Sequence, residues 1–293
     1  MTFSQWYDKS YKWLLVIPLI LIIASVAYLW NFQNQQGDII YKDVSLTGGT
    51  TVTVLDSTVD ITSIKSQLST QFPDLMIREI SNFRTGEQKG FLLETQAEAT
   101  EIRPALEAVL GYQLTQDNSS TEFSGATLSQ GFYHQLRLAI FLAFIFMAIV
   151  VFLIFRTLIP SAAVVISAFA DITMTLVVVD LLGIPLSTAG VVAFLLLIGY
   201  SVDTDILLTT RVLRKKEESI NQRVFGAFKT GIVMALTSIV AIAVSLIIIY
   251  GSSDVLRQML TILLIGLGFD IFNTWITNAS IIKWYAESRE GKS

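Results

Sequence analysis

Residues 186–208 read LSTAGVVAFLLLIGYSVDTDILL, an apolar stretch that carries two carboxylates, Asp203 and Asp205, close to its end. About 20 helical residues cross the roughly 30 Å of bilayer hydrocarbon, so the stretch is read as a transmembrane helix. A carboxylate inside such a helix costs about 3 kcal/mol or more unless it has a partner, a proton or water. Asp171 and Asp270 stand inside two further stretches of the same kind. A membrane bundle with acidic groups in its interior is therefore the first expectation.

Working outward, six apolar segments are long enough to span: Trp13–Asn31, Leu136–Phe155, Pro160–Leu182, Leu186–Leu208, Thr230–Tyr250 and Leu256–Trp284. The totals agree. Of 293 residues, 53% are hydrophobic and only 15% charged, against about 25% charged in soluble domains. A net charge of −4 gives no reason to expect nucleic-acid binding. The chain has no cysteine and a single histidine, His134, which excludes disulfides, thiolate sites and a His-rich metal centre. The first segment is too long for a secretory signal core and leaves through bulky Tyr28, Leu29 and Trp30, so it is read as a retained helix with a local break at Pro18.

Basic residues set the expected orientation. Arg211, Arg214, Lys215, Lys216, Arg223 and Lys229 crowd one link, Arg156 lies on the same side, and Lys283, Arg289 and Lys292 follow the last span. The links Asp180–Pro185 and Gly251–Asp254 hold no lysine or arginine. The positive-inside pattern places both termini in the cytoplasm and residues 32–134 outside, with Arg137 and Arg257 as exceptions. The expected units are residues 1–31 (N-terminus and first helix), 32–134 (external domain with linkers), 135–285 (five helices) and 286–293 (tail).

The external region has a rhythm of its own. Thr50–Leu55 reads as a strand, Ile61–Phe72 as a helix, Leu75–Ile80 as a strand, Arg84–Lys89 as a turn, Gly90–Thr95 as a strand and Ala97–Leu110 as a helix. Either Tyr112–Thr115 or Ser120–Phe123 closes the set. That β-α-β-β-α-β order predicts a small α+β domain of ferredoxin-like type.

The candidate functional residues are Asp171, Asp203, Asp205 and Asp270, at comparable depths, with Arg211 as a possible ion-pair donor near the inner interface. Asp203 and Asp205 are two positions apart and cannot share a helical face. One is expected to face the other carboxylates and one to meet water or a partner subunit. The functional reading is a polar seam through which protons or ions reach buried acids. The competing reading makes these residues structural pins, hydrogen-bonded to Ser201, Thr204, Thr173, Thr175, Asn273 or Asn278. Gly199, Gly231, Gly266 and Gly268 offer close helix approach, and Gly48-Gly49 a bend before the first strand. Gly266-Leu-Gly268-Phe-Asp270 differs from the Gly-x-Gly-Asp motif of intramembrane aspartyl proteases by one inserted residue. No nucleophile–base set is visible, so no enzyme and no cofactor are expected.

Several stretches together carry a resemblance: Leu46-Thr-Gly48-Gly49-Thr50, Gly199-Tyr-Ser-Val-Asp203-Thr-Asp205-Ile-Leu-Leu leading to Arg211, the acidic Asp171, Ala227-Phe-Lys229-Thr, and Thr237-Ser238. The chain resembles the SecD/SecF family of protein-export membrane proteins, in its archaeal form. The resemblance implies an accessory subunit of the Sec translocase that pairs with SecD, meets the Sec channel, the translocating polypeptide and membrane lipid, and has an architecture like half of a resistance-nodulation-division transporter. It also implies ion-driven movement of the external domain. Where bacterial members generally read Asn-Asp, this chain has Asp203-Thr-Asp205. A half-transporter for lipid or small substrates and a non-catalytic scaffold for SecD are the alternatives.

Overall fold

The computed structural model describes residues 3–81, 85–214, 218–249 and 254–290. In chain order its elements are α1 (Phe3–Leu14), α2 (Val16–Gln36), α3 (Val44–Thr47), β1 (Gly49–Val54), α4 (Ile61–Leu68), β2 (Met76–Ser81), β3 (Gln88–Thr95), α5 (Ala99–Leu110), β4 (Ser119–Ser124), α6 (Ala126–Phe155), α7 (Leu158–Leu181), α8 (Thr188–Arg214), α9 (Ile220–Ile249), α10 (Asp254–Phe272), a π-helical turn (Asn273–Asn278) and α11 (Ala279–Glu290). Lys215, Lys216, Lys292, Tyr250 at the end of the expected fifth span, residues 251–253 of the expected basic-free link, and Arg84 at the start of the expected turn lie outside the described residues.

Six helical stretches are long and apolar enough to cross a membrane: Ser10–Gln36, Leu128–Phe155, Leu158–Leu181, Thr188–Arg214, Ile220–Ile249 and Val255–Glu290. Each overlaps one of the segments expected from hydropathy, and most run past it at one end or both because helix continues beyond the apolar window. The first is broken at Leu15, between α1 and α2. Pro18 causes this, since it has no N–H for the Leu14 carbonyl and its ring crowds that turn. The π-helical turn lies between α10 and α11 in the last span, a feature that hydropathy does not signal.

Between the first two spans lies a soluble α/β domain with an antiparallel sheet in the order β2-β3-β1-β4. Alternation along the strands separates its faces. Val52, Val54, Phe91 and Leu93 point to one side and pack with Ile64 and Leu68 of α4 and Ile102 and Leu106 of α5. The closing strand is Ser119–Ser124, the second of the two possibilities. Tyr112, the other possibility, instead donates to Asp56 at 2.7 Å, and burial with that carboxylate pushes its hydroxyl up to about 12. Helix α4 stops at Leu68 rather than Phe72. Pro73 disfavours helical backbone at the residue before it.

The opposite face of the sheet overlooks the near ends of the spans. Thr51, Thr53, Leu92, Arg78, Glu94 and Glu122, together with Ser187, Thr188, Val255 and Gln258, line a cavity of about 360 Å³. A short strap fastens domain to bundle: Asp43 N–H donates to Leu186 O at 3.1 Å, and Leu186 N–H to Tyr41 O at 2.6 Å. Thr188 N–H donates to Ser45 Oγ at 3.0 Å. Gln258 of α10 accepts from Ser187 N–H at 3.1 Å and donates to Pro185 O.

Gly48 and Gly49 make this junction possible. A Cβ on Gly49 would stand 2.2 Å from Thr95 O and 2.7 Å from Gln96 Cα, at a φ of +133°. Gly49→Ala is therefore expected to destabilise the α/β domain by roughly 2–5 kcal/mol. Gly111→Ala, at φ +77° with nothing within 4 Å, should cost only about 1 kcal/mol. Amide-exchange protection of β1 and β3 in the full chain measures both, and equal losses would contradict the steric argument.

Candidate functional site

Three spans bring three carboxylates together. Asp171 comes from α7, Asp205 from α8 and Asp270 from α10, with exposures of 0%, 0% and 2%. Helices α7, α8 and α10 pack against one another, and Asp205 and Asp270 lie on the helix faces that meet α7. The groups acting on the three acids are hydroxyls, carboxamides and one another.

The donors are fixed by local structure. Ser201, one turn before Asp205 on α8, donates to Asp171 Oδ2 at 2.6 Å. Asn273 Nδ2 donates to Asp171 Oδ1 at 2.7 Å. Thr277 donates to Asn273 Oδ1 at 3.1 Å, which holds the amide in that orientation. Asp205 Oδ1 accepts from Asn278 Nδ2 at 2.7 Å, Thr274 Oγ1 at 2.9 Å and Ser167 Oγ at 3.4 Å. The π-helical turn makes this convergence possible. Its Ala279 N–H reaches back five residues to Thr274 O, and the widened turn sets Asn273, Thr274, Thr277 and Asn278 towards α7 and α8.

Thr274 also stands 3.2 Å from Asp270 Oδ1. Its hydroxyl has one hydrogen, so it donates to Asp205 or to Asp270 but not to both at once. A proton on either acid would satisfy the other arrangement, with the carboxylic O–H donating to Thr274 Oγ1. Neutral donors alone would not offset negative charge on all three acids in a buried site, so holding a proton or a cation is chemistry that this arrangement allows. Among the described residues no group of three His, Cys, Asp or Glu has the geometry of a metal site. Asp205 Oδ2, Asn278 Oδ1, Thr209 Oγ1 and Trp275 Nε1 are buried without a protein partner.

The structure separates the expected residues. Asp203 is exposed on the surface of the bundle, on the face of α8 turned away from the other carboxylates, because two helical positions rotate a side chain by about 200°. Arg211 pairs with none of the three acids. Six residues of helix separate it from Asp205, and its Nη1 donates to Gly226 O at 2.9 Å and Thr230 Oγ1 at 3.0 Å. Gly231 and Gly266 do permit close approach, to Trp275 and Leu197, whereas Gly199 and Gly268 have nothing within 4 Å of a built Cβ. Thr173 and Thr175 bond to backbone carbonyls of their own helix. Sequence reasoning missed Ser167 and Thr274. The dense polar run Asn273–Asn278 within a span was the available signal for Thr274.

Residues 107–288 match the family model described as "Protein export membrane protein SecD/SecF, C-terminal". The chain is 38% identical over 290 residues to the protein-export membrane protein SecF of Methanocaldococcus jannaschii, covering 97% of this chain and 99% of that one. It is 36% identical over 288 residues to SecF of Methanothermobacter thermautotrophicus, covering 96% and 94%. The crystal structure of SecDF, a translocon-associated membrane protein from Thermus thermophilus, superposes with a TM-score of 0.72 at 17% identity. That likeness covers 95% of this chain but 38% of the SecDF chain, and at this identity it speaks for the fold.

Proposed function

The chain belongs to the SecF branch of the SecD/SecF protein-export family, and from that premise we propose that it works with SecD to assist polypeptide export across the cytoplasmic membrane. As a member of this family it is a transport component and not an enzyme. In our reading an ion gradient acts through Asp171, Asp205 and Asp270. The observation that carries the reading is the Thr274 hydroxyl shared between Asp205 and Asp270, which makes the helix packing depend on which acid holds positive charge.

The same helices reach the external domain. The link between α7 and α8 holds the Tyr41–Asp43 strap, and Gln258 ties that link to α10. A shift among α7, α8 and α10 would therefore move the strap, and the cavity beneath the sheet leaves space for the domain to close. We assign residues 32–134 to the outside and both termini to the cytoplasm, supported by the basic inner links. We assign the external domain to the ferredoxin-like type, supported by its strand order. The six spans then form one half of a pseudo-symmetric bundle related to resistance-nodulation-division transporters, with SecD as the other half, close to the Sec channel.

The test is export into vesicles that contain the Sec channel and SecD, with and without this chain, under an imposed proton or sodium gradient. Gradient-stimulated export that requires the chain supports the reading, and equal export without it removes the reading.

A further inference from the structure

Along α8 and α10 the surroundings of the carboxylates differ on their two sides, while α7 carries buried Thr173, Thr175 and Asp180 towards the domain, the last with Oδ2 lacking a protein partner. Towards the α/β domain, α8 has no polar side chain from Ala189 to Gly199, and α10 has none from Ile262 to Phe269. Phe194, Leu197, Ile262, Leu263 and Leu267 join Leu176 and Val179 of α7 in one buried apolar cluster. Leu197 is its innermost member on α8, one turn from the Ser201 that donates to Asp171. A Cβ on Gly266 would lie 2.4 Å from Leu197 Cδ2. The leucine is thus seated on the bare backbone of α10, where a side chain would displace it.

Away from the domain the picture is polar. Thr209, one turn beyond Asp205 and fully buried, has its hydroxyl without a protein partner, as do Asp205 Oδ2 and Asn278 Oδ1. Buried Ser280 then meets Tyr7 at 3.3 Å, and buried Lys283 meets Asn221. Leu208, Val212 and Ile282 flank these groups. Buried oxygens that lack a protein partner are where water or a cation supplies the contact, whereas an apolar constriction blocks ions by excluding water.

We infer that Leu197, seated on Gly266, seals the carboxylate site against the external-domain side, and that in this arrangement the coupling cation exchanges with the opposite side past Thr209 and Asn278. The inference rests on the ion-coupling reading and names its gate. Opening the seal would connect both sides through the acids.

The experiment uses the complex with SecD in vesicles, with no export substrate, and follows an imposed proton or sodium gradient with an internal indicator. Leu197→Ser should raise the passive flux roughly ten-fold or more, while the volume-conserving Leu197→Met stays tight. Adding Asp205→Asn to Leu197→Ser should restore tightness, because the path runs through that acid. Leu197→Ala repeats the test with less disturbance if the serine variant fails to assemble. Tight vesicles at equal assembled complex would overturn the inference. So would a leak that survives Asp205→Asn or that also passes chloride, since either marks a route around the site. Failure of the coupling reading is distinguishable: Asp205→Asn alone would then leave gradient-stimulated export intact, whatever Leu197→Ser does to passive flux.

Discussion

Replacing Asp205 by Asn is expected to reduce gradient-stimulated export about ten-fold or more at unchanged amounts of assembled complex. The exchange keeps the shape of the side chain and removes its ability to hold a proton or face a cation. Its Oδ1 can still accept from Asn278, Thr274 and Ser167. The new amide group then occupies the Oδ2 position, which has no protein partner. An unsatisfied buried donor costs about 1–3 kcal/mol, and relief from charge repulsion by Asp270 works in the opposite direction, so assembly should survive. Asp171→Asn is expected to behave similarly, with the new amide facing Ser201, whose hydroxyl turns from donor to acceptor, while Oδ1 keeps the bond from Asn273. Thr274→Val leaves every carboxylate in place but cuts the hydroxyl link between Asp205 and Asp270. It should therefore lower gradient stimulation without abolishing it. Export into energised vesicles, compared with export without a gradient, separates these effects. Undiminished stimulation in both asparagine variants would leave the acids as structural pins.

The hydrophobic periods placed all six spans, because about 20 apolar residues in a row have few other solutions. Two-residue and helical alternations likewise gave the external strands and helices. The site was only half legible. Spacing showed that Asp203 and Asp205 must face different ways, but not which one faced inward. That was decided by the packing of α7 and α10 against one side of α8, a tertiary fact. Nor could glycine identity separate Gly266, which receives Leu197, from Gly199, which receives nothing from its own chain. The π-helical turn was invisible for another reason. Hydropathy is blind to an i→i+5 hydrogen bond, and only the run of Asn and Thr hinted that the last span was irregular there. For Arg211 the charge signals only a need for acceptors, and within the chain carbonyl and hydroxyl groups on α9 supply them.

Gly199→Leu is expected to lower the SecD co-purified with this chain about ten-fold, a loss of about 1.4 kcal/mol. The argument starts from Asp203, which is exposed although it lies well inside α8. A carboxylate facing lipid there would cost about 3 kcal/mol. Gly199 and half-exposed Tyr200 share that face, at spacings of four and three residues from Asp203. A bare glycine beside an exposed acid suits a second helix packed closely, with a polar or cationic group opposite the acid. Leucine at 199 would hold that helix away. If the face met only lipid, Gly199→Leu would be harmless and Asp203→Leu would stabilise the chain alone without affecting assembly. If SecD covers the face, Asp203→Leu strands the partner's polar group and weakens the complex by roughly 3 kcal/mol or more. Phe146→Leu on the exposed side of α6 supplies the comparison, a lipid-facing change that should leave co-purification unaltered. Equal recovery of SecD with all three variants would assign the α8 face to lipid and leave Asp203 to be stabilised by water.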